Sequence, residues 1–128
     1  MRCLLDTHVL IWAIESPEKL TADARSVIED SGNQLLISIV SFWEISIKVG
    51  QQKLKLSTEY YPWARLALEI LPASILPVTL EATEKQRQLP SYHRDPFDRM
   101  MIAQAIVNDH PIISADEKFD LYGDVRLW

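Results

Sequence analysis

Residues 3–14, CLLDTHVLIWAI, decide the architecture of the chain. Cys3-Leu4-Leu5 is a short apolar run of strand type, Asp6-Thr7 offers a helix cap, and an apolar helix continues through Ile14 until Ser16-Pro17 breaks it. The same strand-to-helix grammar recurs outward from it. Thr21 to Glu29 is an amphipathic helix ending near Ser31-Gly32-Asn33, and Leu35-Leu36-Ile37 is a second strand. Ser41 caps a helix through Val49 with Gly50 at its C′ position. Glu59 to Leu71 is helical, its Pro62 early enough to be tolerated. Ile75-Leu76-Pro77-Val78 is a third strand whose proline points to a sheet edge. Leu80 to Gln88 is a helix, and Asp95-Pro96 opens another through Val107. Ile112-Ile113 and Val125-Arg126-Leu127 complete the strands. This alternation predicts a three-layer α/β/α sandwich around a central parallel sheet of about five strands, with residues 1–128 forming one domain. In such sheets a ligand sits beyond the carboxyl ends of the strands, where the strand order switches.

The composition narrows the function classes. With 48% hydrophobic residues, four Trp, four Tyr and three Phe, the 128-residue chain can bury a core, which excludes disorder as its main state. The longest apolar run, Val9 to Ile14, is too short to span a bilayer, and Asp6 interrupts any signal-peptide core. The single cysteine, Cys3, suits a reducing compartment, so a cytoplasmic protein is expected, away from membranes. Only Gly32, Gly50 and Gly123 occur, and both the dinucleotide and the P-loop glycine patterns are missing. Thirteen basic residues face 18 acidic ones, a formal net charge of −5. Nucleic acid held by electrostatics alone calls for a basic chain. Either nucleic acid is not the ligand, or some of the acids are set aside for a metal.

Four acids stand where the strand-end rule puts a site. Asp6 follows the first strand, Asp116 follows the fourth after Ser114-Ala115, Asp98 lies in the first turn of its helix, and Glu44 lies one turn into the helix after the second strand. Each has a structural alternative. Asp6 and Asp116 can cap the turns that follow them, Asp95-Pro96 with Asp98 resembles a helix-opening arrangement, and Glu44 can pair with Lys48 four residues on. Glu44 fits its alternative least well. Phe42, Ile45 and Val49 form one apolar stripe and Trp43 with Ile47 another, leaving Ser41, Glu44 and Lys48 as a narrow polar line that implies a crevice. Converging carboxylates repel one another unless a cation sits among them, and hard oxygen donors suit Mg²⁺ or Mn²⁺. Zinc fits poorly, because Cys3, His8, His93 and His110 show no ligand spacing; the histidines read as surface or hydrogen-bonding residues.

The stretches LLDTHVLIW at 4–12, SFWEISIK at 41–48, HRDPFDRMMIAQA at 93–105 and SADEKF at 114–119 together resemble the PIN-domain family. More narrowly, they are similar to the VapC-type ribonuclease toxins of bacterial toxin–antitoxin pairs. The resemblance runs through the closing segment at 125–128 and rests on four motifs in order. It implies a PIN fold and metal-dependent cleavage of RNA that leaves 5′-phosphate and 3′-hydroxyl ends. By resemblance the catalytic and metal-binding acids are Asp6, Glu44, Asp98 and Asp116, with Mg²⁺ as the expected cofactor and Mn²⁺ as the alternative. Asp95 competes with Asp98 for the third place, but Ile102, Ala103 and Ala105 align with the family pattern after Asp98. Asp120 is a lesser extra acid. Thr7 and Ser114 match the family's small hydroxyl residues beside the acids, while Arg94, Arg99 and Lys48 are either phosphate contacts or ion-pair partners.

The resemblance also implies a homodimer and a cognate antitoxin. Candidate contact surfaces are Trp12 with Pro17–Leu20, and the Tyr60-Tyr61-Trp63 cluster in preference to Trp43. Two competing functions remain to be weighed. A phosphorelay receiver needs an acceptor Asp at the end of strand three, where this chain has Pro77-Val78-Thr79, and is excluded. A catalytically inert PIN-fold module that binds RNA or an antitoxin is the alternative, and metal-dependent cleavage discriminates it.

Overall fold

A computed structural model describes residues 1–128. Its elements run β1 (Arg2–Leu5), α1 (Thr7–Glu15), α2 (Ala22–Glu29), β2 (Gln34–Ser38), α3 (Ile39–Gly50), α4 (Tyr60–Ile70), β3 (Ser74–Leu76), α5 (Leu80–Gln88), α6 (Pro96–Asn108), β4 (Ile112–Ile113) and β5 (Arg126–Leu127), with 3-10 turns at Pro17–Lys19 and Glu117–Tyr122. All four strand pairings are parallel, in the order β3-β2-β1-β4-β5. The predicted three-layer sandwich is therefore the observed one.

Strand pleating sends alternate residues to opposite faces. Cys3, Leu5, Leu35, Ile37 and Ile113 join one buried cluster with Val9, Leu10, Phe42, Ile45 and Trp63. Leu4, Leu36 and Ile112 join the other, with Met101, Ile102, Ala105 and Phe119. Helix α3 feeds both clusters, Val40 going to the second and Phe42 and Ile45 to the first. Buried Gln104 of α6 ties the layers together: it accepts from Ser38 Oγ at 2.6 Å and donates to the Pro77 carbonyl at 3.1 Å.

The strand order supplies the crevice. From β1 the chain builds β2 and β3 on one side, then returns to lay β4 and β5 on the other. The switch falls between β1 and β4, so the peptides after Leu5 and Ile113 diverge there, and ligands bind at such points.

Several local expectations shift. Helix α3 is capped by Ser38 rather than Ser41, because β2 passes into it without a loop and Ser38 Oγ accepts from Val40 N at 3.1 Å. That leaves Ser41 fully buried inside the helix. Gly50 ends the helix instead of following it, and the left-handed conformation falls to Gln52 at φ 59°. Strand β3 starts one residue early and stops before Pro77, which keeps the proline out of the ladder; β3 is an edge strand as expected.

Candidate active site and metal centre

Asp6 terminates β1 and caps α1. Its Oδ1 accepts from Thr7 N at 2.8 Å, and its Oδ2 accepts from Ser114 Oγ at 2.6 Å across the β1–β4 boundary. The residue is almost wholly buried. Burial pushes its carboxyl above the ordinary aspartate value, opposed by His8 and by the Ser114 and Thr7 hydrogen bonds, with nearby Glu44 adding to the rise. Its two roles, cap and candidate ligand, are compatible because Oδ1 keeps a free lone pair beside the one that the Thr7 N–H occupies.

Glu44 lies on the polar line of α3 and is also buried. Lys48 Nζ donates to its Oε2 at 2.8 Å, and that bond is the main reason the Lys48 ammonium lies above its usual value. The other oxygen, Oε1, is buried without any hydrogen-bond partner. An unpartnered buried carboxylate oxygen is costly unless something outside the protein occupies it.

Asp98 follows the Asp95 cap and Pro96, as the sequence predicts; Asp95 Oδ1 accepts from Phe97 N and Asp98 N at 2.8 and 3.3 Å. Its carboxyl is raised to about 7, first by burial and then by repulsion from Asp95, Asp6, Glu44 and Asp116. Three of the four sequence-predicted acids, Asp6, Glu44 and Asp98, therefore share one cleft, and Asp98 also adjoins the fourth. Asp6, Thr7, His8, Ile11, Glu44, Lys48, Asp95 and Asp98 line a single cleft of about 240 Å³. Larger concavities of about 520 and 620 Å³ lie elsewhere and contain none of the four acids.

Asp116 lies outside that lining and meets Asp98 in a second group, with ligand atoms of His93, Asp98 and Asp116 all within 4.8 Å of one another. Asp116 Oδ1 caps the 3-10 turn through Lys118 N at 3.0 Å, and Oδ2 is 2.8 Å from His93 Nε2. Burial acts to raise Asp116, but the bonds from His93 and Lys118 outweigh it and hold the carboxyl below its ordinary value. Ser114 serves both acids, since its Oγ also accepts from Asp116 N at 3.0 Å.

The donor set fits a hard divalent cation. Asp98 and Asp116 bring ligand atoms together beside His93, Asp6 and Glu44 line the adjoining cleft with Asp98, and the repulsion among these carboxylates is relieved by positive charge.

Two residues near the site escaped the sequence reading. His8 Nδ1 is 3.1 Å from Asp6 Oδ2 while its Nε2 accepts from Ala115 N at 3.2 Å, so the nitrogen that faces Asp6 is the one left to carry the ring proton. His93 is buried against Asp116 and Tyr122. Hydrogen bonding was the right reading for both; their attachment to site acids was hidden, because ligand spacing along the chain says nothing of contacts made across the sheet.

Other expectations are corrected. Arg99 is not available to phosphate: its guanidinium donates to the carbonyls of Pro90, His93, Gln86 and Leu89 at 3.0, 3.4, 2.7 and 3.3 Å, fastening the α5–α6 connection. Arg94 remains exposed. Asp120 forms a two-pronged pair with Arg126 at 2.9 Å and takes no part in the cleft. Thr7 contributes its N–H to Asp6, but its hydroxyl donates to Ser41 Oγ at 2.9 Å. Trp63 is core, only 1% exposed, whereas Trp43 is 60% exposed; α4 turns its indole inward, and α3 turns Trp43 out against Phe97.

The chain is similar to known proteins in sequence and in fold. The family model for the PIN domain matches residues 3–125. Ribonuclease VapC22 of Mycobacterium tuberculosis is 29% identical over 117 residues, covering 90% of this chain and 87% of that protein. Among solved structures, VapBC2 from Rickettsia felis bound to a promoter DNA fragment matches with TM-score 0.71 and 17% identity over 100% of this chain and 98% of that one. VapBC-1 from nontypeable Haemophilus influenzae matches with TM-score 0.67 and 17% identity over 98% and 96%.

Proposed function

The chain belongs to the PIN-domain family, and from that premise we propose that it is a VapC-type toxin, a metal-dependent endoribonuclease neutralised by a cognate antitoxin. The observation that carries the reading is that four separate segments bring Asp6 and Glu44 into one cleft with Asp98 and set Asp116 beside Asp98. The ribonuclease name of the Mycobacterium tuberculosis relative supports the activity, and the VapBC complexes support an antitoxin partner. RNA, single-stranded or structured, is the substrate under this reading, and the cytoplasm the place of action. No helix is long and apolar enough to cross a membrane. A homodimer belongs to the same proposal.

Asp6, Asp98 and Asp116 would hold the cation, each through a carboxylate oxygen. When bound, Mg²⁺ or Mn²⁺ supplies charge neutralisation at the scissile phosphate and acidifies the attacking water. The protein's own groups do the rest. Thr7 N and Ser114 Oγ fix both oxygens of Asp6, so the carboxylate is oriented before substrate arrives. Lys48 holds Glu44 by Oε2 and leaves Oε1 as the atom that accepts a hydrogen from the attacking water or completes the ligand set. Attack by water on phosphorus with loss of the 3′ oxygen gives the 5′-phosphate and 3′-hydroxyl ends. Exposed Arg94 is the remaining basic group for flanking phosphate.

The test is cleavage of a labelled single-stranded RNA by purified protein with Mg²⁺, with Mn²⁺ and with EDTA, beside Asp98→Asn. Metal-dependent cutting that disappears in the variant is expected. RNA retained without cutting under every metal condition would favour the inert binding module instead.

A further inference from the structure

We propose that His93 is a positioning residue that fixes the Asp116 carboxylate for metal binding, and that Tyr122 in turn fixes His93. The inference rests on the metal-centre reading of the acids. Asp116 needs such support. It follows a two-residue strand, and its side chain is 31% exposed, so little packing restrains it.

His93 supplies the restraint. Asp116 accepts only, so Nε2–H is the donor at 2.8 Å, and in the neutral ring the Tyr122 hydroxyl donates to Nδ1 at 2.9 Å. The imidazole is 5% exposed and is packed against two rings, Phe119 at 4.9 Å and Tyr122 at 5.6 Å, the latter nearly parallel at 21°. Phe119 is fully buried in the second core cluster, which references the ring to the rigid part of the fold. The arrangement is closed on itself. Asp116 caps the 3-10 turn Glu117–Tyr122, that turn presents Tyr122 to His93, and His93 returns to Asp116. Arg99 reaches the His93 carbonyl from the other side at 3.4 Å, so the backbone bearing the imidazole is tied as well.

Both ring nitrogens are engaged by these bonds, so His93 acts on Asp116 and is not itself a ligand. Oδ2 keeps a second lone pair for a cation after accepting from Nε2. Hydrogen bonds of this kind to ligating groups are worth about 10–100-fold in metal affinity.

The test uses full-length wild type, His93→Leu, His93→Gln and Tyr122→Phe. Mn²⁺ affinity is measured by calorimetry, nitrogen coordination by pulsed electron paramagnetic resonance of bound Mn²⁺, and folding by thermal denaturation in EDTA. His93→Leu is expected to weaken Mn²⁺ binding about 10–100-fold, with kcat on RNA falling and KM little changed. His93→Gln, whose amide N–H can replace Nε2–H, recovers most of the loss, and Tyr122→Phe falls between. No directly coordinated nitrogen is expected in the wild type. A folded His93→Leu that binds Mn²⁺ like the wild type overturns the proposal, as does a glutamine variant no better than leucine. A directly coordinated nitrogen that vanishes in His93→Leu makes His93 a ligand and overturns it too. If His93→Leu does not fold, Tyr122→Phe carries the test, and unchanged affinity there refutes the chain from Tyr122 to Asp116. A wild type that binds no Mn²⁺ overturns the metal-centre reading itself, a result distinct from wild-type binding that the variants fail to alter.

Discussion

Asp98→Asn is expected to stabilise the metal-free protein while destroying the proposed metal site. The carboxyl of Asp98 is raised from 3.8 to about 7 by burial and by the surrounding carboxylates. The folded protein therefore binds this proton more tightly than the unfolded chain does. Stability contributed by the protonated form is lost as pH rises from about 4 to about 7, and above that the folded state carries the full cost of a buried charge among other carboxylates. The whole shift corresponds to a ceiling of about 4 kcal/mol. Asp98 is only half-buried, and solvent screening reduces the usable part to about 1–2 kcal/mol. Asparagine removes the charge at nearly the same size. In EDTA at pH 8 the variant should melt about 4–7 °C above the wild type, the gain shrinking to less than about half at pH 5. Saturating Mn²⁺ reverses the order, since a ligand at a hundred times its Kd adds about 2.7 kcal/mol to the wild type alone. Thermal denaturation of both proteins across pH 5–8, with EDTA and with Mn²⁺, measures all of this. A variant that melts lower than the wild type in EDTA at pH 8, or a difference flat across pH, would refute the crowding of charge at Asp98.

Three further outcomes are expected. Ser114→Ala leaves Asp6 Oδ2 and the Asp116 N–H without their shared partner, costing about 1–3 kcal/mol in denaturant unfolding and about 10–100-fold in Mn²⁺ affinity; an unaltered affinity would mean that Asp6 orients itself. Arg99→Met removes four bonds to backbone carbonyls and should cost about 2–3 kcal/mol, while the salt dependence of RNA binding stays that of the wild type. A shallower salt slope would restore Arg99 as a phosphate contact. Trp63→Ala should cost about 3–5 kcal/mol by opening a core cavity, whereas Trp43→Ala should leave the melting temperature of the isolated chain within a few degrees; equal losses would contradict their opposite burial.

The layers and the acids were legible because they depend on local pattern. A strand such as Cys3–Leu5 that is apolar on both faces belongs inside a parallel sheet, and an acid at its end follows from the topology rule. Glu44 was legible because its helix left it the only narrow polar line. The cap of α3 was not, since Ser38 and Ser41 are both chemically able to cap and only the direct passage from β2 into the helix decides between them. Arg99 was misread for a related reason: an arginine beside a site acid looks the same in sequence whether it meets phosphate or backbone carbonyl. His8 and His93 depend on contacts between segments far apart in the chain, 107 residues in the case of His8 and Ala115, which no local pattern encodes.

The pairing of β4 with β1 also sets when the acids can come together at all. Ser114 reaches Asp6 across 108 residues of sequence, and the two strands touch directly in register, Leu4 with Ile112 and Leu5 with Ile113. A nascent chain on the ribosome carries Asp6 and Glu44 long before it carries Asp116, and closing so long a loop is among the slower events of folding. Under the proposed function, synthesis beside abundant RNA is thereby separated in time from competence to cut it, because the acids meet only when the most distant segments do.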